Sequence, residues 1–210
     1  MTKRLFDVVL AAVGLAVSSP LWLVIPAAIR LEDGGPVFFP QDRVGLNGRV
    51  FRALKFRSMV PDAEARSGPV QADADDPRIT RVGRLLRATA MDELPQLWNI
   101  FVGDMSFVGP RPLRPGEIDA AGDGQLIALH EIPGYELRHS VRPGLTGLAQ
   151  VYAPRDLPRA DKFAFDLRYL DAAGPWLDLK LLLLSFWITA RGEWERRDRS
   201  LFTKQGRGSL

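Results

Sequence analysis

Three features of this 210-residue chain predict an α+β fold. Long apolar segments at both ends are of helical length, an Asn-Gly pair near residue 47 lies between extended segments, and turn-rich stretches divide the middle into short elements. The expected architecture is a small β-hairpin or sheet packed with several helices, plus an N-terminal re-entrant membrane helix and amphipathic interfacial helices. The length suits one ordinary domain with a substantial core and is too short to expect two.

The first element is an uncharged stretch from Val8 to Ile29, flanked by Lys3, Arg4 and Asp7 before it and Arg30, Glu32 and Asp33 after it. About 20 apolar residues suffice to cross a bilayer as a straight helix. Ser18-Ser19-Pro20 interrupts this one, because proline removes a backbone donor while serine hydroxyls bond the freed carbonyls; Pro26 adds a second interruption. The expectation is a helix bent at Ser19 and Pro20 that dips into one leaflet and returns, spanning residues 1–33. A crossing signal anchor, a cleaved signal peptide and a buried core helix are the rival readings. The apolar region exceeds the roughly 7–15 residues of a signal peptide, and a soluble core helix normally shows a polar stripe.

From Gly34 the composition becomes that of a globular domain. Val37-Phe38-Phe39 and Val44, then Arg49-Val50-Phe51, surround Leu46-Asn47-Gly48, a strong hairpin signal preceding Lys55-Phe56-Arg57-Ser58-Met59. Residues 61–77, rich in Asp, Ala, Gly and Pro, read as a solvated surface loop with a helical turn. Ile79 to Arg87 reads as a helix with Arg81, Arg84 and Arg87 along one face.

That basic face leads into Asp92-Glu93, followed by Leu94-Pro95-Gln96-Leu97-Trp98-Asn99. Proline is tolerated in a first helical turn, so a helix is expected from about Asp92 to Phe101, stopping at Gly103. Both carboxylates would then sit at its positive end. There the macrodipole keeps an Asp ionised, free N–H groups receive phosphate oxygens, and adjacent carboxylates can share one divalent cation. The plainer reading is an N-cap with a first-turn Glu. Beyond lie a Pro-rich turn from Gly109 to Pro115, a helix around Ile127 to His130, a loop from Arg142 to Gly147, and a helix near Asp161 to Leu170. The final helix, about Trp176 to Ala190, is too short to span; core helix and membrane-surface helix are equal readings of it. Residues 191–210 form a basic tail, suited to anionic lipid or to solvent.

Composition narrows the chemistry. Without cysteine there is no disulfide framework or thiolate, and with only His130 and His139 a histidine-rich metal site is disfavoured. A net charge of +3 with no nucleic-acid motif gives no reason to expect a nucleic-acid partner. Glycosidases set their carboxyls on opposite sides of a bond, roughly 5–9.5 Å apart, whereas neighbours at one helix start face a common small volume. Metal binding and phosphoryl transfer fit better. Attack by a carboxylate on phosphorus needs cations on the non-bridging oxygens, and the fork of arginine suits them. Arg87 and Arg111 bracket the pair; Lys55, Arg57 and Arg142 are further candidates. No Walker or Rossmann glycine pattern offers another phosphate site.

Together, Lys3-Arg4-Leu5-Phe6-Asp7, the break at Ser19-Pro20, Lys55-Phe56-Arg57-Ser58-Met59, Asp92-Glu93-Leu94-Pro95-Gln96-Leu97-Trp98-Asn99, Gly103-Asp104-Met105-Ser106, Val108-Gly109-Pro110-Arg111-Pro112 and Arg142-Pro143-Gly144-Leu145-Thr146-Gly147 carry a resemblance. In this order the chain resembles the bacterial sugar transferases known as monotopic phosphoglycosyl transferases, in their small form without extra transmembrane helices. The resemblance implies transfer of a sugar phosphate from a UDP-sugar to undecaprenyl phosphate, giving a polyprenyl-diphosphate-sugar and UMP. It makes residues 34–190 the catalytic domain. It makes Asp92 the nucleophile and Mg²⁺ ligand, Glu93 its assistant, Arg87 and Arg111 phosphate binders, and Pro110 and Pro112 the residues that stiffen the turn aiming Arg111. It also implies a bacterial inner-membrane protein with its domain on the cytoplasmic face, among membrane lipid and downstream glycosyltransferases.

Tyr152-Ala153-Pro154-Arg155 departs from the family's usual Asn-Gly-Arg type sequence. Asp166 and Asp178 read as structural salt-bridge partners, and Trp98, Phe107 and Tyr135 as packing residues. The sugar, the pathway and the oligomeric state are not encoded in any readable motif. Two other functions compete: a membrane-anchored scaffold without turnover, and an exported hydrolase in which the acid pair uses water.

Overall fold

Pro20 has no N–H to donate, and the chain bends there. In the computed structural model, which describes residues 2–63, 76–120, 126–154 and 157–191, helix α1 (Thr2–Val17) ends and helix α2 (Leu21–Asp33) begins on an axis turned by 61°. Ser18 closes the corner: its carbonyl accepts from the Leu21 N–H at 2.8 Å and its hydroxyl accepts from the Trp22 indole at 3.1 Å. Pro26 is carried inside α2 without ending it. Among the described residues no single helix is long and apolar enough to cross a membrane, while the bent pair together passes that test of length and composition.

The two helices are bound to the rest of the chain. Buried Asp7 accepts from the Ser106 hydroxyl and the Phe107 N–H, each at 3.1 Å. Lys3 pairs with Asp178, whose other oxygen accepts from the Tyr169 hydroxyl at 2.8 Å. At the far end, Glu32 accepts from the N–H groups of Arg81 and Val82, the first two residues of helix α3 (Arg81–Ala88). Thr80 caps the same helix by accepting from Gly83.

The hairpin forms with Asn47 and Gly48 at positive φ, as its signal predicts, and pairs β1 (Gln41–Val44) with β2 (Val50–Ala53) antiparallel from Gln41↔Ala53 to Val44↔Val50. Val37 to Phe39 lie outside it; Phe38 instead bridges Phe56 and stacks on its ring at 5.5 Å, with Trp22 edge-on to Phe56. This aromatic group joins α2 to the segment after β2 that carries Lys55. Most of the expected loop at 61–77, and the tail after Arg191, lie outside the described residues.

Three sequence expectations are corrected. The helix expected to begin at Asp92 begins at Gln96: Ala90 enters the left-handed region (φ 53), Met91–Glu93 form a 3-10 turn, and Pro95 caps helix α4 (Gln96–Val102). Pro95 has no N–H to bond back to Met91, so the turn through the acid pair stays 3-10 and the α-helix starts after the proline. The expected loop from Arg142 to Gly147 contains β6 (Gly144–Thr146), parallel to β3 (Ser106–Val108). A Cβ on Gly144 would meet Gly109 N at 2.1 Å, so only backbone fits where the two glycine motifs zip together. The helix expected around Ile127 is strand β5 (Leu126–Ala128), paired with β4 (Ile118–Ala120) and followed by a 3-10 turn. A segment that short gains more from cross-strand bonds than from one helical turn.

Helices α5 (Tyr135–Arg138), α6 (Leu148–Tyr152), α7 (Arg159–Ala172) and α8 (Pro175–Arg191) complete eight α-helices and three two-stranded sheets among the described residues. The main core gathers Ala11, Ile100, Met105, Val108, Tyr169 and Leu181 from α1, α4, β3, α7 and α8. Helix α8 contributes Leu181 and Ile188 to the core, while Trp176, Leu183, Phe186 and Trp187 stay exposed.

Candidate active site

Asp92 and Glu93 leave the 3-10 turn with different surroundings. Asp92 is 9% exposed, and its side chain has no hydrogen-bonded partner among the described residues. Its carbonyl accepts from the Phe56 N–H at 2.8 Å, which ties the turn to the segment after β2 that carries Lys55. Glu93 Oε1 accepts from Lys55 Nζ at 2.6 Å and from Arg111 Nη2 at 3.2 Å. One acid is thus neutralised and its neighbour is left available.

The two carboxyls separate in acidity for the same reason. Burial pushes Asp92 up to about 6, with Lys55 opposing and the charge on Glu93 adding. Burial also raises Glu93, but Lys55 and Arg111 outweigh it and hold that carboxyl down at about 2. The sequence reading expected a helix dipole to favour the Asp92 anion; desolvation prevails because the helix starts four residues later. A poorly solvated carboxylate, still ionised near neutrality, is a stronger nucleophile than one in water.

Lys55 and Arg111 reach Glu93 because their backbones are held. The Asn99 amide accepts from the Leu54 N–H at 2.9 Å and donates to the Arg52 carbonyl at 2.7 Å, bracing the end of β2 next to Lys55. In the turn after β3, the Pro110 carbonyl accepts from Gly144 N, that of Arg111 from Arg138 Nη2 at 2.7 Å, and that of Pro112 from Arg43 Nη1 at 3.2 Å. Pro110 is fully buried and Pro112 also lies inside, so the turn is packed as well as bonded.

Arg138 is a buried anchor. It donates through Nε and Nη2 to Asp166 Oδ2 at 3.0 and 2.8 Å, and its guanidinium lies 4.6 Å from the Phe163 ring centre. It also contacts His139 Nε2 at 3.1 Å; arginine only donates, so Nε2 accepts and the proton sits on Nδ1, facing the Tyr135 carbonyl at 2.8 Å. Asp166 was assigned a structural salt bridge from sequence, and it makes one.

Of the other sequence-named cations, Arg87 contributes to the field at Asp92 from the last turn of α3. Arg57 is not brought to the acid pair by hydrogen bonding: its buried fork grips the Asp33 carboxylate at the end of α2. Arg142 donates to the Gly103 carbonyl at 2.8 Å, at the end of α4. Arg43, Gln96 and Arg138 were missed. Arg43 and Gln41 fall on one face of β1, and that alternation was the available signal for the first of them. Arg43, Lys55, Glu93, Gln96, Arg111 and Leu145 are among the residues that line a shallow cleft open to solvent.

No group of three or more Asp, Glu or His converges to cage a metal among the described residues. Mg²⁺ commonly takes one or two carboxylates plus substrate phosphates and waters, and Asp92 without a paired cation fits that mode.

Comparison with known proteins places the chain in a family. A family model described as bacterial sugar transferase matches residues 1–192. The chain is 42% identical over 193 residues to an undecaprenyl-phosphate glucose phosphotransferase of Komagataeibacter xylinus, covering 88% of this chain and 35% of that protein. It is 45% identical over 191 residues to a UDP-glucose:undecaprenyl-phosphate glucose-1-phosphate transferase of Caulobacter vibrioides, covering 87% and 67%. It is 38% identical over 196 residues to the exopolysaccharide production protein ExoY of Rhizobium meliloti, covering 87% and 82%. The chain therefore spans from about a third to four fifths of the length of these relatives.

Proposed function

Because the chain belongs to the bacterial sugar transferase family, we propose that it transfers a sugar phosphate from a UDP-sugar to undecaprenyl phosphate, releasing UMP. The observation that carries this reading is the divided acid pair: Asp92 buried and unpaired, Glu93 clamped by Lys55 and Arg111. Relatives whose names include UDP-glucose and undecaprenyl phosphate support these substrate classes, glucose being the first sugar to test.

In this reading an Asp92 oxygen attacks the phosphorus that bears the sugar. A bond forms from carboxylate oxygen to phosphorus, the bridging P–O bond breaks, and its electron pair leaves with UMP. The non-bridging oxygens face Lys55, Arg111 and Arg87, which match charge that spreads in the transition state. Glu93 keeps Lys55 and Arg111 in place before the donor arrives. In the second half-reaction an oxygen of the lipid phosphate attacks the same phosphorus, the bond from Asp92 oxygen to phosphorus breaks, and the carboxylate is restored. Mg²⁺, held by Asp92 and the diphosphate, would supply further charge neutralisation.

The acceptor in this reading is a lipid, and the bent α1–α2 pair supports a re-entrant membrane seat; a UDP-sugar donor would put the domain on the cytoplasmic face of the inner membrane. Leu5, Val9, Val13 and Val17 on α1 and Leu23, Val24 and Leu31 on α2 are exposed apolar side chains suited to acyl chains. Arg57 and Glu32 then link that seat to Lys55 and to α3.

Purified wild-type protein with Mg²⁺, undecaprenyl phosphate and a panel of UDP-sugars tests the reaction by UMP release, with Asp92→Asn beside it. Sugar-labelled UDP-sugar without acceptor should leave label on wild-type protein and none on the variant. UMP release undiminished in a folded Asp92→Asn protein would overturn the mechanism. Single cysteines replacing Thr2 and Asp42 test topology with an impermeant thiol label, since a re-entrant helix leaves both on one side.

A further inference from the structure

Arg43 differs from every other cation at the cleft. Lys55 and Arg111 share Glu93, whereas Arg43 has no ion-pair partner among the described residues; it donates only to Gln41 Oε1 and to the Pro112 carbonyl. Burial and the nearby charges of Arg111 and Arg114 push its guanidinium down to about 10, with Glu117 and Glu93 opposing more weakly. A half-buried cation that no carboxylate among the described residues compensates carries part of that desolvation cost. It lines the same cleft as Glu93 and Arg111, so an anion entering there relieves the imbalance.

Resting on the reading above, we propose that Arg43 binds the phosphate that stays with the nucleoside, and so stabilises UMP as it leaves. A diphosphate presents two phosphates, and the transferred one is served by Lys55, Arg111 and Arg87 around Asp92. The second phosphate gains charge when the bridging P–O bond breaks and the electron pair settles on its oxygen. Arg43 is the cation in the cleft not already spent on a carboxylate. Its two hydrogen bonds fix the fork on β1 and on the turn carrying Arg111, setting the two phosphate positions relative to each other.

The test is equilibrium dialysis of UMP, and of uridine as the phosphate-free control, against the full chain in detergent. Wild type is compared with Arg43→Gln, Arg43→Met and Arg43→Lys, with thermal melting for each and KM for the UDP-sugar and undecaprenyl phosphate. Arg43→Gln and Arg43→Met should weaken UMP binding about tenfold or more, the size of a lost charge-assisted hydrogen bond. Uridine affinity and the KM for undecaprenyl phosphate should not move, and Arg43→Lys should recover most of the UMP affinity.

Recovery by Gln and not by Lys would reduce Arg43 to a brace on Pro112 and overturn the proposal. So would equal losses for uridine and UMP, or a loss seen only in the KM for undecaprenyl phosphate. Should the neutral variants fail to fold, the wild type decides: saturating UMP, unlike uridine, should protect Arg43 from phenylglyoxal in mass spectra, and absence of protection refutes the idea. Wild type that releases UMP while every variant matches it defeats this inference alone. Wild type that neither binds nor releases UMP defeats the underlying reading, and this one with it.

Discussion

Replacing Arg138 by methionine tests how the fold aims the site. The Arg138 and Asp166 side chains are 1% and 4% exposed, so Arg138→Met strands a carboxylate where water cannot reach it. The same change removes the donors to the Arg111 carbonyl and to His139 Nε2. Breaking one partner of a buried pair costs about 3–5 kcal/mol, a large share of a typical domain's stability. Burial already holds Asp166 above the usual carboxylate range despite Arg138, and holds Arg138 below the usual range for arginine. Each charge is kept ionised by the other, and removing both together should cost far less. Arg138→Met with Asp166→Leu should therefore regain most of the stability in urea melts.

Activity should not recover with it. In the folded double variant the Arg111 carbonyl still lacks its donor, so kcat/KM for UMP release should stay down by about tenfold, the size of one lost hydrogen bond to a charged group. A cycle with Arg111→Ala separates aim from fold: if Arg138 acts through Arg111, the losses overlap by about 1 kcal/mol or more instead of adding. Full additivity, or a single Arg138→Met variant within about 1 kcal/mol of wild type, would refute this account of the pair.

Other perturbations give equally definite outcomes. In the wild type kcat/KM should fall as pH drops through about 6, because protonated Asp92 cannot attack; in Glu93→Gln this acid limb should move to lower pH, since the charge on Glu93 helps to raise Asp92. His139 is held down to about 4 by burial and Arg138, so the folded state refuses a proton that the unfolded chain accepts below about 6.5. The His139 contribution to stability should therefore decline as pH falls from 6.5 toward 4, opposed by that of Asp92, and His139→Gln should lose less stability than wild type between melts at pH 7 and pH 5. Asn99→Ala leaves the Leu54 N–H and Arg52 carbonyl without their partner and should cost about 1–3 kcal/mol, with KM for the donor rising as Lys55 loosens.

The acid pair, the Asn-Gly hairpin and the break at Ser19-Pro20 were legible because each depends on neighbours in the chain: a turn type, a missing N–H, two adjacent carboxylates. Arg111 was legible because a glycine and two prolines around it announce a fixed turn. The strand at Gly144–Thr146 was not, since its partner lies more than thirty residues away at Ser106–Val108 and no local pattern records a parallel pairing.

Tertiary structure also decided which cations serve the site. Lys55 and Arg57 stand two residues apart in one motif, yet Lys55 reaches Glu93 while Arg57 grips Asp33. Arg138 and Arg43 belong to none of the motifs read from the sequence, and the fold places one under the Arg111 carbonyl and the other in the cleft. Sequence alone determined which chemical groups the chain owns and how its local turns bend. Which groups are desolvated, and which charges are left uncompensated, depends on contacts between distant segments, and these set both the acidity of Asp92 and the place for a second phosphate.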